Sequence, residues 1–408
     1  MAEPEVLLRP EDGSRVASIT LNRASKLNAL NLNMIRLLHR AVDEVDRRAG
    51  RFGCIVLDGA GGRAFCAGGD VADVRAEGMA GGSLPADFFM EEYALVHRLA
   101  SMPERTGCCQ VSIWDGIVMG GGVGISAHGA IRIATERTLF AMPEMAIGFF
   151  PDVGLTFKLS RLPLGLCVGL YIGMTGARLG PWDCMRAGLA THFVPSASIP
   201  SLRKLLGSRL SGVGGGAAEQ EAACMACASE AGAGEMPPRP TNAVLTKENV
   251  AVIDRCFAAP TLEGIFAALR AETGQFAAAT LQSMVAACSP TSCKVTLRAM
   301  HAFAAEGVGL GHALSMEYRL ALRFSTRPQP MSDFFEGVRA VVVDKDRRQS
   351  WRPGWSQLAE VSDEALEAFF APLGAEGGRG ELVLDGPHAW GEHARAPLPP
   401  ARPAGPRL

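Results

Sequence analysis

Three consecutive glycines, Gly120-Gly121-Gly122, with a fourth at Gly124, follow closely on an apolar stretch. Val111 to Trp114 reads as a strand, and IVMGGGVGISAHG as a glycine-rich turn running into a helix of small residues. Glycine there admits φ values closed to other residues and lets a ligand approach the backbone. A helix that opens on glycine also presents unpartnered N–H groups at the positive end of its dipole. A second cluster, Gly68-Gly69-Asp70, lies earlier in the chain. One N–H from each loop would hold an oxygen on which negative charge develops. The plainer use of each cluster, a tight turn or close packing, accounts for either one taken alone. Nucleotide loops do not fit: there is no GxxxxGK[ST], and GGGVG does not satisfy the GxGxxG frame.

Composition narrows the classes. Forty basic residues against 42 acidic ones leave a net charge of −2, so no one-sided field draws the chain to nucleic acid or an anionic membrane. No apolar run approaches the roughly 18 residues needed to span a bilayer. Eleven scattered cysteines, an odd number, read as free thiols in a reducing compartment. Cys224 and Cys227 form a CxxC, but no second pair follows at zinc spacing, so no metal is expected there. The first residues, MAEPEVLLRP, match neither a signal peptide nor a transit peptide.

Val16 to Leu21, Cys54 to Leu57, Ala64 to Cys66, Ile131 to Ala134 and Leu139 to Met142 are further strand candidates. Leu32 to Val45 carries apolar residues at helical spacing behind Asn31 as cap, and Phe88 to Leu99 reads as a second helix. Repeated strand–helix units point to an α/β fold. Residues 5–205 form the core on this reading, and 206–247 a flexible Gly/Ala-rich insertion. Helical patterns fill 248–375, and the Pro-rich residues 376–408 are expected to be a disordered tail.

The ordered set ITLNRASKLNAL, AFCAGGDV, DGIVMGGGVGIS and FAMPEMAIGFFPDVG resembles the enoyl-CoA hydratase/isomerase (crotonase) superfamily. Within it the chain is most similar to the branch that hydrolyses 3-hydroxyisobutyryl-CoA. EEY at Glu91 to Tyr93, HG at His128–Gly129, FFPDVG at Phe149 to Gly154 and GLATHFVP at Gly188 to Pro195 carry that similarity. SPTSCKVTLR, MEYRL and DFFEGVRAVVVDKD continue it, so it extends over residues 5–372 apart from the insertion. The resemblance implies a ClpP-like crotonase fold of repeated ββα units followed by helices. It implies an acyl-CoA thioester substrate, possible assembly into a homo-oligomer, and no metal or redox cofactor. It assigns the oxyanion hole to the N–H groups of Gly69 and Gly121. Lys26 and Leu27 match the loop along the CoA moiety, and Gly68 and Asp70 flank the first oxyanion donor. The compartment implied is mitochondrial for a eukaryotic source and cytoplasmic otherwise.

Hydratases of this superfamily carry a glutamate two residues after the triple glycine, where this chain has Gly124. Their second glutamate is present as Glu144. The hydrolase branch instead pairs that glutamate with the aspartate of PDVG, here Asp152. The expected roles are therefore catalysis by Glu144 as base or nucleophile, and contact of Asp152 and Glu92 with the substrate hydroxyl or with water. His128, among small residues, is expected to be a packing histidine rather than a base. Two other functions compete: hydration or isomerisation of an enoyl-CoA, and a non-catalytic binding role.

Overall fold

The computed structural model describes residues 3–11, 13–212, 215–232, 234, 236–305, 307–374 and 380–384. Strands β1 (Val6–Pro10), β2 (Val16–Leu21), β3 (Cys54–Gly59), β5 (Cys109–Trp114), β7 (Ile131–Ala134) and β9 (His192–Phe193) form one sheet in the order β1-β2-β3-β5-β7-β9. Only β1 and β2 pair antiparallel; every later pairing is parallel. Strands β4 (Ala64–Cys66), β6 (Ile117–Met119) and β8 (Leu139–Ala141) form a second, parallel sheet of three. Each ββα unit thus sends one strand to each sheet, and the chain leaves the small sheet into a helix or turn. Those exits are the segments beginning at Gly68, Gly120 and Met142, so three chemistry-bearing loops converge on one side.

The central strand β5 is buried throughout, and β3 over its first four residues, as the interior of a covered parallel sheet requires. Period-two alternation sorts β3: Ile55 and Leu57 join the main core, while Cys54 and Val56 join a second cluster on the opposite face. That second cluster is closed by two helices, Ile199–Leu210 and Ala217–Ala231. The second of these corrects the expectation of a flexible insertion at 206–247. Gln220, Cys224, Cys227 and Ala228 are buried on it. Small side chains let a helix lie flat on a sheet, so the segment has a packing face without the large apolar residues that usually advertise one. All eleven cysteines are free thiols, with Cys109 Sγ donating to Cys224 Sγ at 3.2 Å.

The first long helix, Leu32–Arg47, starts where Asn31 Oδ1 accepts the Met34 N–H at 2.8 Å. Its apolar face carries Met34, Ile35, Leu38, Val42 and Val45 into the core. From Lys247 onward the chain is helical, and Gln275–Ala287, Pro290–Phe303 and Leu310–Thr326 pack back on the first half. The expected disordered tail is also corrected in part. Within it, Leu382 and Leu384 are buried and Glu381 pairs with Arg319 at 2.8 Å; residues 376–379 and 385–408 lie outside the described residues. Among the described residues no helix is long and apolar enough to cross a membrane.

Candidate active site

The first oxyanion loop is shaped by a single parallel bridge between Leu30 and Gly69. Leu30 N–H donates to Gly68 O at 2.8 Å, and Asp70 N–H donates to Leu30 O at 2.7 Å. Peptide groups alternate along an extended segment, so the intervening Gly69 N–H faces away from Leu30. Gly68 reaches this arrangement at φ +107°, which only glycine adopts without strain. The second loop turns at Gly120, with φ +47° and ψ −124°. Gly120 O accepts from Val123 N at 2.8 Å and Gly124 N at 3.1 Å, which closes the first helical turn of Gly121–Ala127. Among the described residues neither Gly69 N–H nor Gly121 N–H has a hydrogen-bond partner.

Three carboxyl groups stand against these loops. A Cβ on Gly120 would lie 3.1 Å from Glu144 Oε1, and one on Gly121 would overlap Glu92 Oε1. The side chains of Glu92 and Glu144 therefore occupy the space that glycine leaves. Both are buried, and Glu92 Oε1 and Glu144 Oε2 have no hydrogen-bond partner. Asp152, also buried, accepts the Tyr93 hydroxyl at 2.8 Å on Oδ2. Burial pushes the Glu144 carboxyl well above the usual range, and the charges of Asp152 and Glu92 push it further. Burial and then Asp152 do the same to Glu92. For Asp152, burial raises the pKa to about 7, while the Tyr93 hydrogen bond restrains the rise. Burial thus disfavours charge on all three carboxyls, and at Asp152 the Tyr93 hydrogen bond acts against it.

All of these groups line one cavity of about 680 Å³, together with Gly68, Gly69, Gly120 and Gly121. Phe88, Phe89, Met119 and Phe149 supply an apolar wall, and Cys288, Val341 and Val342 close it from the C-terminal helical region. Exposed Arg178 and Arg347 mark its solvent end. A buried acyl chamber with cations at its opening suits a thioester whose remainder is a phosphorylated tail.

The turn bearing Asp152 is strained and doubly tied. Val153 has φ +54°, a rare conformation for a β-branched residue. Its carbonyl bonds His128 Nε2 at 2.9 Å, and the next N–H, of Gly154, donates to Glu317 Oε2 at 2.6 Å. Thr156 donates its hydroxyl to Glu317 Oε1. Burial lowers His128 to about 3, so its ring is neutral, in keeping with the packing role expected for it. The same turn fills the place of the missing hydratase carboxylate. A Cβ on Gly124 would come within 2.7 Å of Val153 Cγ2 and closer still to its Cβ.

The structure brings together Gly68, Gly69, Gly121, Glu92, Glu144 and Asp152, as expected. Lys26, Leu27 and Asp70 lie beside the oxyanion loop but do not line the cavity. Asp70 accepts from the Arg23 guanidinium at 2.9 Å, which explains its place in the motif by an ion pair. Lys26 is exposed, and Leu27, at φ +53°, accepts the Ala67 N–H through its carbonyl, which ties this loop to the oxyanion loop. Sequence reasoning missed Tyr93 and Glu317, although EEY and MEYRL were both singled out. It also missed Arg178 and Arg347, which carry no motif.

The profile of the family described as enoyl-CoA hydratase/isomerase matches residues 16–370. The chain belongs to the enoyl-CoA hydratase/isomerase family. It is 40% identical over 364 residues to the mitochondrial 3-hydroxyisobutyryl-CoA hydrolase of Xenopus tropicalis, covering 87% of this chain and 86% of that protein. The human protein of that name is 39% identical, over 92% of this chain and 90% of its own length. Among solved structures, a carnitinyl-CoA dehydratase from Mycobacterium thermoresistibile has a TM-score of 0.75 at 33% identity, covering 92% of this chain and 98% of its own. An enoyl-CoA hydratase from Rhodobacter sphaeroides 2.4.1 gives 0.74 at 35%, covering 91% and 98%. The crotonase fold expected from the sequence, with its added helical region, is thus the fold observed.

Proposed function

We propose that the chain hydrolyses 3-hydroxyisobutyryl-CoA to the free hydroxy acid and CoA, the activity in the names of its relatives at about 40% identity. The observation that carries this reading is Glu144 and Asp152 lining one cavity with two free N–H donors, while Val153 closes position 124. The thioester oxygen lies between the N–H groups of Gly69 and Gly121, which stabilise the charge it gains. Glu144 either takes a proton from water as that water attacks the carbonyl carbon, or attacks first itself. On the water route the new C–O bond replaces the C–S bond, and the leaving thiolate takes the proton that Glu144 drew from the water. On the other route the Glu144 oxygen displaces the thiolate, and water then cleaves the anhydride, regenerating Glu144 and supplying the proton the thiolate takes. Asp152, with Tyr93 donating to it, and Glu92 receive the 3-hydroxyl group. An acyl group lacking that hydroxyl leaves buried polar groups unpaired and is disfavoured. Arg178 and Arg347 are the available partners for the CoA phosphates, and the chemistry uses no metal or redox group. Belonging to valine breakdown follows from the substrate. For a eukaryotic source the compartment proposed is the mitochondrion, as in the names of the animal relatives.

One observation favours a second reading. Glu92 brings a carboxyl beside Gly121, so water addition to an enoyl-CoA has two acids at hand, and the names of the two solved relatives are of that type. Glu144→Ala tests the first reading: thiol release is expected to fall at least about a hundredfold with CoA-ester binding retained. Turnover close to that of the unaltered protein would remove Glu144 from the reaction.

A further inference from the structure

A second cleft, of about 340 Å³, shares no lining residue with the acyl cavity. Lys158 and Arg161 line it, three residues apart at the end of the helix Leu155–Leu159, with Phe157, Pro163 and Leu310 as apolar walls and His128 at its back. Arg132 lies behind the wall formed by Gly188, bonded to the carbonyls of Gly188, Leu189 and Gly129.

Among the described residues no carboxylate pairs with these charges. Among the described residues, Lys158 Nζ has no hydrogen-bond or ion-pair partner, and the Arg161 guanidinium lies over the Phe157 ring and donates only to the carbonyls of Phe157, Ala305 and Val308 and to Ser160 Oγ. The Arg132 guanidinium likewise donates only to carbonyls. Elsewhere the chain behaves differently: Arg36, Arg98, Arg203 and Arg339 each face at least one carboxylate. A cleft acid is absent as well, since none of its lining residues is Asp or Glu. Burial, and next the charge of Arg132, pull the Lys158 ammonium down to about 7, while burial brings Arg132 to about 10. Positive charge is concentrated here at a cost that a bound anion would offset.

We propose that this cleft is a binding site for a small oxyanion, a carboxylate or inorganic phosphate. Lys158 Nζ and the Arg161 guanidinium grip its oxygens, with Phe157 and Pro163 against its remaining surface. The occupant stands one side chain from the catalytic turn, because His128 both lines the cleft and bonds Val153 O. The site is separate from the acyl cavity, and its test reads binding alone, so it stands or falls independently of the thioesterase reading.

Titration calorimetry of the full chain at about pH 6.5 and fixed ionic strength tests it, with inorganic phosphate in one arm and propionate in the other. At least one anion is expected to bind saturably with a dissociation constant on the order of 1 mM. Lys158→Met is expected to weaken that binding about tenfold or more. Arg161→Gln, at an exposed position, serves as the second variant with the same expected loss. Saturation by phosphate alone or propionate alone identifies the oxyanion. Saturation by neither, or undiminished affinity in both variants, overturns the proposal.

Discussion

Replacing Asp152 by asparagine separates the stability of the site from its chemistry. In the native chain the Asp152 carboxyl is held at about 7, against an ordinary value of 3.8. Burial is the leading cause, so the unfolded chain gives up this proton at a pH where the folded chain retains it. Folding is therefore favoured at low pH and loses stability as pH rises toward the folded value. Integrated over the two values, the loss is about 2 kcal/mol near pH 5 and about 4 kcal/mol near pH 8. Asparagine has nearly the same shape, carries no charge, and still accepts the Tyr93 hydroxyl through Oδ1. Asp152→Asn is thus expected to gain stability over the native chain, by about 2 kcal/mol more near pH 8 than near pH 5. Glu92 and Glu144 shift in the same direction, because each loses the neighbouring Asp152 charge that helps to raise it. Urea unfolding of both proteins at the two pH values measures the difference, and thiol release from the acyl-CoA should fall in the stabilised variant. A stability difference that is the same at both pH values, or that favours the native chain near pH 8, would refute this electrostatic reasoning.

The other expected outcomes concern the same turn. Tyr93→Phe removes the only side-chain donor to Asp152 among the described residues, so the acid limb of kcat/KM should move to higher pH, by about one unit for a hydrogen bond to a charged acceptor; an unmoved profile would deny the hydrogen bond a role. Gly124→Glu, which restores the hydratase residue by name, should yield no hydratase and should destabilise the fold by about 1–3 kcal/mol or more, because Val153 already fills that space. Thermal unfolding and a crotonyl-CoA absorbance assay would read both effects.

Much of the site was legible because its chemistry is bound to backbone geometry. Gly68 and Gly120 need φ values that only glycine adopts freely, and Gly121 gives its Cβ space to Glu92, so these positions show in the sequence as clustered glycines. Glu144 and Asp152 travel with them in motifs. Asp70 has a partner the sequence does not show: its carboxylate forms an ion pair with Arg23, which lies far away in the sequence. Glu317 was hidden the same way, since it reaches Gly154 and Thr156 from a helix in the last third of the chain. Lys26 and Leu27 are close to the oxyanion loop in the fold without lining the cavity. The Ala217–Ala231 helix escaped because alanine and cysteine pack against a sheet without the large apolar pattern that periodicity detects. The strands, by contrast, announced themselves: β2, β4 and β7 begin and end where their apolar runs do.

The most direct test sets hydrolysis against hydration in one purified preparation. Thiol release from 3-hydroxyisobutyryl-CoA and loss of enoyl absorbance from crotonyl-CoA are measured side by side, with Glu144→Gln as control. The expected result is rapid thiol release that depends on Glu144, with negligible hydration of crotonyl-CoA. Hydration without thiol release would contradict the hydrolase assignment and give the site to the Glu92 and Glu144 pair.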